Sequence, residues 1–270
     1  MKKFWLPTLL LVLVLITSCR ISQNGKRSSG SLDVKHSEHL TSSVLWYQLS
    51  GEMRALYFQG YNVARYSLDN LLKESKSDKK KAVVVDIDET LLNNSPYEAK
   101  IILNNQSFEP QSWHEWVLLA KADTLPGALG FLKYAASKGV ETFYISNRME
   151  NEVEATMKNL AAFGFPYVDE AHMIFKTITS SKEERRNKVL ENYEILLLCG
   201  DNLGDFAAAF EGRTFATNMD SVNKYAHEFG KRFIILPNPM YGDWEKPIYS
   251  MKNMTEAQRD SARKALLHAY

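Results

Sequence analysis

Cysteine is scarce in this chain of 270 residues, in which only Cys19 and Cys199 occur. At most one disulfide is possible, so the disulfide framework that supports many exported domains is excluded. Cys199 lies in an apolar run, which favours an inert buried thiol. A net charge is also lacking, since 33 Lys and Arg residues balance 32 Asp and Glu residues. This balance argues against a nucleic-acid polymer as the partner and favours a small molecule.

A membrane-spanning run is missing near the start, because the apolar segment at residues 4–16 is shorter than the roughly 20 residues that cross a bilayer. Lys2 and Lys3 precede this segment and small residues follow it, an order that is typical of an export signal. The tetrapeptide Ile16-Thr17-Ser18-Cys19 resembles the lipobox of bacterial lipoproteins, whose cysteine becomes the acylated N-terminus. The alternative is an N-terminal membrane helix on a cytosolic protein.

The lipobox resemblance implies a signal peptide at residues 1–18, lipidation of Cys19 without any intramolecular disulfide, and membrane attachment through the lipid. Arg20 follows the cysteine, whereas an aspartate there is tied to inner-membrane retention. The expected location is therefore the outer membrane of a bacterial cell envelope. Residues 19–40 are rich in Ser, Lys, Gly and Asn, which predicts a flexible tether.

Apolar runs alternate with helical patterns through residues 41–270, the expected folded domain. Helices are predicted at 41–73, 126–137, 151–163, 182–191 and from 206 onward. Strands are predicted at 82–87, 140–145, 195–199 and 233–236. This alternation predicts an α/β fold, a Rossmann-like parallel sheet with helices on both faces. Residues 92–122 are too many for an ordinary loop and predict a small, mainly helical cap.

Two of the predicted strands each lead into a pair of aspartates, Asp86 with Asp88 and Asp201 with Asp205. The carboxyl ends of parallel strands meet at one edge of a sheet, so all four carboxylates are expected in one crevice. Clustered carboxylates need a cation, and oxygen ligands favour Mg²⁺. Asp201 and Asp205 have an alternative interpretation as turn and N-cap residues.

These carboxylates suit the hydrolysis of a phosphomonoester. Asp86 is placed to attack phosphorus beside a cation that reduces the repulsion between the two anions. Asp88 points to the same side two residues later and could protonate the leaving oxygen, then deprotonate water.

Aromatic residues in the predicted cap and in a late loop are candidates for binding the rest of the substrate. They are Phe108, Trp113, Trp116 and Tyr241. Stacking on a nucleobase or an aryl ring would contribute roughly 1–3 kcal/mol per ring. The alternative for each tryptophan is packing between the cap and the core.

The order of the motifs points to a known family. Asp86-x-Asp88-x-Thr90 after a buried strand resembles motif I of the haloacid dehalogenase superfamily of phosphohydrolases, and Ser146-Asn147-Arg148 resembles motif II. Lys182 and the segment 200–206 follow as motifs III and IV. With Asn94-Ser95-Pro96-Tyr97 and the late segment 236–245, the set resembles the class C bacterial acid phosphatases, which are lipoproteins with four active-site aspartates.

This resemblance implies a haloacid dehalogenase-like core and a Mg²⁺-dependent acid phosphatase of the cell envelope. Its expected substrates are nucleoside monophosphates, cleaved through an aspartyl phosphate on Asp86. The implied metal ligands are the Asp86 side chain, the Asp88 backbone carbonyl and Asp201, with Asp205 supporting the metal and its waters.

The family resemblance also assigns the phosphoryl contacts, which are the Ser146 hydroxyl, the Asn147 backbone N–H and the Lys182 ammonium group. Ser146 has an alternative as an ordinary strand-end residue, and Lys176 or Lys188 could take the place of Lys182. Two other functions stay open: a phosphotransferase that uses the same intermediate, and a non-catalytic envelope binding lipoprotein. A homodimer is a further expectation from the family.

Overall fold

The computed structural model describes residues 35–212, 214–249, 251 and 253–270. The predicted signal peptide, Cys19 and most of the predicted tether lie outside the described residues. The end of that tether is described, and it contains a 3-10 turn at Glu38–Leu40 that leads directly into the first α-helix. Within the described ranges, no helix is both long and apolar enough to cross a membrane.

The order of elements follows the alternation expected from the sequence. The strands are β1 (Lys80–Val85), β2 (Leu92–Asn93), β3 (Asp123–Thr124), β4 (Val140–Met149), β5 (Met173–Lys176), β6 (Tyr193–Gly200) and β7 (Phe233–Ile235). The helices are α1 (Thr41–Leu49), α2 (Gly51–Glu74), α3 (Ser95–Leu103), α4 (Pro110–Leu118), α5 (Ala128–Ser137), α6 (Val153–Phe163), α7 (Glu183–Asn192), α8 (Phe215–Lys224) and α9 (Glu256–Ala265).

Five strands form one parallel sheet in the order β5-β4-β1-β6-β7. Side chains of β1 alternate between its two faces, as the period of two requires. Val83 and Val85 pack with α2 and α5, whereas Ala82 and Val84 pack with Val189 of α7. Both faces of the sheet are therefore covered by helices, which confirms the predicted α/β class.

Residues 92–122 contain α3 and α4, and β2 pairs antiparallel with β3 in a separate two-stranded ribbon. Helix α3 packs against α1, and α4 packs against α6. These contacts place the inserted helices beside the carboxyl ends of the central strands.

Two details differ from the sequence-based expectation. The prediction that a helix starts at Phe206 is wrong, because Ala207 is extended (φ −159°, ψ 154°) and only 3-10 turns flank it. Phe206 and Phe210 instead pack on Phe233 and edge-on against each other, and α8 begins at Phe215. Strand β5 and helix α9 were not predicted, since β5 has four residues and α9 is strongly polar.

Buried tyrosines of α2 support the turn that follows β1. The Tyr57 hydroxyl donates to the carbonyl oxygen of Glu89 and contacts the Tyr47 hydroxyl. One helical turn later, the Tyr61 hydroxyl donates to the carbonyl oxygen of Thr90 at 2.6 Å. The helix therefore fixes the backbone immediately after the Asp86-x-Asp88 segment.

We predict that Tyr61→Phe lowers the free energy of unfolding by about 1–3 kcal/mol, because a buried carbonyl loses its hydrogen-bond donor. Tyr66→Phe on the same helix is the matched control, since Tyr66 is 71% exposed. Urea unfolding of both variants measures the difference. Equal losses in the two variants would contradict the supporting role of Tyr61.

Candidate active site

A cavity of about 800 Å³ opens at the carboxyl ends of β1, β4 and β6. Most of the residues predicted from the sequence as site residues line it. They are Asp86, Asp88, Phe108, Trp113, Asn147, Lys182, Asp201, Asp205 and Tyr241. The parallel sheet has therefore brought side chains from distant parts of the chain to one edge.

Three carboxylates meet at the bottom of this cavity. One carboxylate oxygen each of Asp86, Asp201 and Asp205 lies within 4.8 Å of the other two. The Lys182 ammonium group forms ion pairs with Asp86 and, at 2.6 Å, with Asp205. Lys182 itself is buried and directly precedes α7.

The backbone around β6 holds this cluster in place. The Asp86 backbone N–H donates to the Cys199 carbonyl oxygen at 2.9 Å, which fixes the end of β1 against β6. The Asn202 backbone N–H donates to Asp205 at 3.0 Å, so the Asp205 side chain turns back over Gly200. A Cβ atom at Gly200 would overlap the Asp205 side chain. Glycine is therefore required here for close approach.

A second set of bonds orients Asp201 and the turn beyond it. The Asn238 amide donates to the Asp201 carboxylate at 2.8 Å. The buried Arg186 guanidinium donates to the carbonyl oxygens of Gly204 and Asp205 at 3.0 and 2.9 Å. The segment after β7 thus holds Asp201, and α7 holds the backbone at Asp205.

Burial makes the negative charge of this cluster costly. Desolvation raises the pKa of Asp86 to about 7, although Lys182 opposes the shift. Desolvation also raises the pKa of Asp201 well above its usual range, with Asp205 and Asp86 adding to it. Burial lowers the pKa of Lys182, but Asp205 and Asp86 outweigh burial and the net shift is upward.

The donor set fits a divalent cation. If all three carboxylates are ionised, Lys182 leaves two negative charges uncompensated. A hard divalent ion supplies the missing charge and prefers oxygen ligands. The cluster of Asp86, Asp201 and Asp205 is thus a candidate site for such an ion.

Asp88 follows Asp86 by two residues but does not belong to the group of three carboxylates. The Arg148 guanidinium donates to it through Nε at 3.0 Å and through Nη2 at 2.8 Å. The Asn94 amide donates to the same carboxylate at 2.8 Å. Arg148 is 2% exposed, and its Nη1 donates to Thr156. Asp88 is therefore held in one orientation by fixed donors.

Ser146 and Asn147 occupy the end of β4. Ser146 is fully buried, and its hydroxyl accepts the Arg148 backbone N–H at 3.1 Å. It is not among the described residues that line the cavity. Asn147 does line it, and the Asn147 amide oxygen accepts a hydrogen bond from Arg185 at 2.7 Å.

Aromatic rings form one wall of the cavity. Phe108 and Trp113 contact each other and both pack edge-on against Tyr97, which is buried. Trp113 also lies 5.8 Å from the Arg148 guanidinium carbon, measured to the ring centroid. The aromatic wall therefore borders the group that orients Asp88.

Both cap tryptophans were expected at the crevice, but of the two only Trp113 lines the described cavity. The Trp116 indole N–H donates to the Asn94 amide oxygen at 2.8 Å, and the Trp116 ring packs on the main core. Trp113 and Trp116 are three residues apart on α4, yet Trp116 faces inward. Trp116 thus orients Asn94, which in turn contacts Asp88.

Sequence reasoning missed the buried glutamates of this region. Glu89 is fully buried, and its carboxylate accepts the Asn94 backbone N–H at 2.6 Å and the Tyr241 hydroxyl. Glu98 on α3 is 5% exposed and lines the cavity. The position of Glu89 directly after Asp88 was the signal available for it, whereas nothing in the local sequence distinguishes Glu98 from an ordinary helix residue.

Comparisons with known proteins identify relatives of this chain. A family profile described as HAD superfamily, subfamily IIIB (acid phosphatase), matches residues 17–244. The class C acid phosphatase from Bacillus anthracis superposes with a TM-score of 0.82 at 40% identity, covering 87% of this chain and 98% of that chain. The same enzyme with tungstate bound gives a TM-score of 0.82 at 39% identity, with equal coverage.

Curated relatives are more distant. Acid phosphatase 1 from Solanum lycopersicum is 28% identical over 167 residues, which cover 58% of this chain and 57% of that protein. Vegetative storage protein 2 from Arabidopsis thaliana is 27% identical over 174 residues, which cover 62% and 58%. The chain thus spans a little over half the length of these two relatives.

The buried Glu98 predicts a pH dependence of stability. Desolvation and the nearby Glu245 raise the pKa of Glu98 from 4.5 to about 7. The unfolded chain releases this proton at lower pH, so the contribution of Glu98 to stability is present below about pH 4.5 and is lost as the pH rises through 7.

The unfolding free energy of Glu98→Gln minus that of wild type should therefore be roughly 2–3 kcal/mol larger at pH 8 than at pH 5, because the wild type loses the contribution of protonated Glu98. Denaturant unfolding at the two pH values measures this change. Glu115→Gln, at an exposed position of α4, controls for the substitution itself. A Glu98→Gln difference that is the same at both pH values would contradict the raised pKa.

Proposed function

The chain belongs to the acid phosphatases of subfamily IIIB of the HAD superfamily, and we propose that it hydrolyses phosphomonoesters through an aspartyl phosphate on Asp86. One observation carries this proposal: the Asp86 carboxylate faces the cavity while Lys182, Asp201 and Asp205 surround it. A carboxylate fixed among charged groups at the end of a buried strand is suited to nucleophilic attack on phosphorus.

In the first step, a carboxylate oxygen of Asp86 forms a bond to phosphorus, and the bond from phosphorus to the leaving oxygen breaks. Asp88 transfers a proton to that leaving oxygen, so the alcohol departs neutral. The fixed donors of Arg148 and Asn94 support this role because they hold the Asp88 carboxylate in one orientation.

In the second step, water replaces the leaving group. Asp88 removes a proton from the water, the water oxygen bonds to phosphorus, and the bond from phosphorus to Asp86 breaks. Inorganic phosphate leaves, and both aspartates return to their starting states. The Lys182 ammonium group offsets negative charge on Asp86 and on the phosphoryl oxygens throughout.

We assign Mg²⁺ as the cation, held by the Asp86 side chain, the Asp88 backbone carbonyl and Asp201, with Asp205 nearby. Its charge would lower the electrostatic barrier to attack by an anion on an anion. The oxygen-only donor set and the two uncompensated charges support this assignment.

The preferred substrates in this proposal are nucleoside monophosphates. Phe108, Trp113 and Tyr241 line the same cavity as Asp88 and offer aromatic surface to a nucleobase. The related Bacillus anthracis enzyme has been solved with tungstate, a tetrahedral oxyanion like phosphate, which supports an oxyanion site in this fold.

We predict different failures for two aspartate variants assayed with p-nitrophenyl phosphate and Mg²⁺. Asp86→Asn should lose at least about 10³-fold in kcat, because no nucleophile remains. Asp88→Asn should release about one equivalent of p-nitrophenolate in a burst and then stall, since that good leaving group needs no proton donor but water attack needs a base.

Asp78→Asn is the control, because Asp78 is an exposed aspartate in the segment that precedes β1. It should match wild type, and EDTA should abolish the activity of both. Wild-type turnover by Asp86→Asn, or activity that survives complete metal removal, would overturn this mechanism.

A further inference from the structure

Glu98 is a buried carboxyl that the proposed mechanism leaves unused. It lies on α3, is 5% exposed and lines the same cavity as the four aspartates. Among the described residues, no hydrogen bond or ion pair reaches its carboxyl group. The neighbouring charge that acts on it is a like charge, that of Glu245, which also lines the cavity.

The Glu98 carboxyl oxygens are not among the fully buried side-chain atoms that lack a partner, so they remain accessible from the cavity. The other buried glutamates of the region are paired within the protein. Glu89 accepts hydrogen bonds from Asn94 and Tyr241, and Glu152 accepts from the Met149 backbone N–H and contacts His114. Of these three glutamates, Glu98 is therefore the one whose carboxyl group is available to accept hydrogen bonds from a ligand in the cavity.

The position of Glu98 indicates which part of a ligand it meets. Glu98 follows Asn94 by four residues, so its side chain lies one turn further along the same face of α3. The Asn94 amide contacts the Asp88 carboxylate at 2.8 Å. Asp88 is the group assigned to the leaving oxygen. Glu98 therefore lies one helical turn from the residue that contacts Asp88, which favours the leaving-group side of the cavity.

We propose that Glu98 is a specificity-determining residue whose carboxyl group hydrogen-bonds to hydroxyl groups of the leaving group, so that phosphomonoesters of sugars are preferred over aryl phosphates. This inference rests on the proposed phosphatase function and extends it to the alcohol that is released. The vicinal hydroxyls of a pentose offer two adjacent donors, which match the two oxygens of one carboxyl.

The walls of the cavity are consistent with this assignment. Phe108 and Trp113 offer aromatic surface, but they supply no group that distinguishes a sugar from another spacer. Glu98 supplies a carboxyl group in the same cavity. A site built to hydrogen-bond a substrate hydroxyl rejects an analogue without it, since its own polar group is then left unpaired.

The test compares kcat/KM of wild type, Glu98→Ala and Glu98→Gln on three substrates with Mg²⁺: adenosine 5′-monophosphate, its 2′,3′-dideoxy analogue, and p-nitrophenyl phosphate. Glu98→Ala should lower kcat/KM for the ribonucleotide by about 10- to 100-fold. It should change the values for the other two substrates by less than about threefold. Glu98→Gln, which keeps an acceptor oxygen and the side-chain shape, should recover part of the loss.

Glu115→Gln on α4 controls for a charge change in the cap, and thermal unfolding checks that each variant is folded. An equal loss on all three substrates, or no loss on the ribonucleotide, would overturn the role of Glu98 alone, because wild-type turnover of p-nitrophenyl phosphate reports the phosphatase function separately. Failure of wild type to hydrolyse any of the three would overturn both proposals.

Discussion

Three carboxylates share one buried ammonium group, and the rest of the site depends on this charge imbalance. Asp86, Asp201 and Asp205 come from the ends of two adjacent strands, and Lys182 reaches two of them from the start of α7. Charges interact strongly where water is excluded, so the uncompensated negative charge of the ionised carboxylates destabilises the cluster. A divalent cation would resolve the imbalance and would allow the cluster to hold a phosphoryl group.

The surrounding fold fixes the backbone on which this cluster is built. Tyr57 and Tyr61 support the backbone after β1, and Gly200 lets Asp205 approach β6 closely. The charged groups of the cluster, Asp88, the aromatic rings of Phe108 and Trp113, and Glu98 all line one cavity.

The clustering of aspartates at strand ends could be predicted from the sequence, because apolar runs mark buried parallel strands and the carboxyl ends of such strands lie at one edge of the sheet. From such runs we expected Asp86, Asp201 and Asp205 in one crevice, where the three carboxylates lie within 4.8 Å of one another. Lys182 was selected instead by the family resemblance, and it pairs with Asp86 and Asp205. The inward turn of Trp116 and the pairing of Arg148 with Asp88 depend on contacts between distant segments. Glu98 reads as an ordinary helix residue until the cap is folded over the cavity. Ala207 shows a similar limit, since local propensity favours a helix there while aromatic packing on β7 breaks it.

The most direct test for a cation at the acid cluster is anomalous diffraction from a crystal soaked with Mn²⁺, a substitute for Mg²⁺. We expect one strong manganese peak bounded by carboxylate oxygens of Asp86 and Asp201, with Asp205 adjacent, and its loss in Asp201→Asn. A strong peak elsewhere in the cavity, or none at the acid cluster in a metal-saturated active crystal, would contradict it.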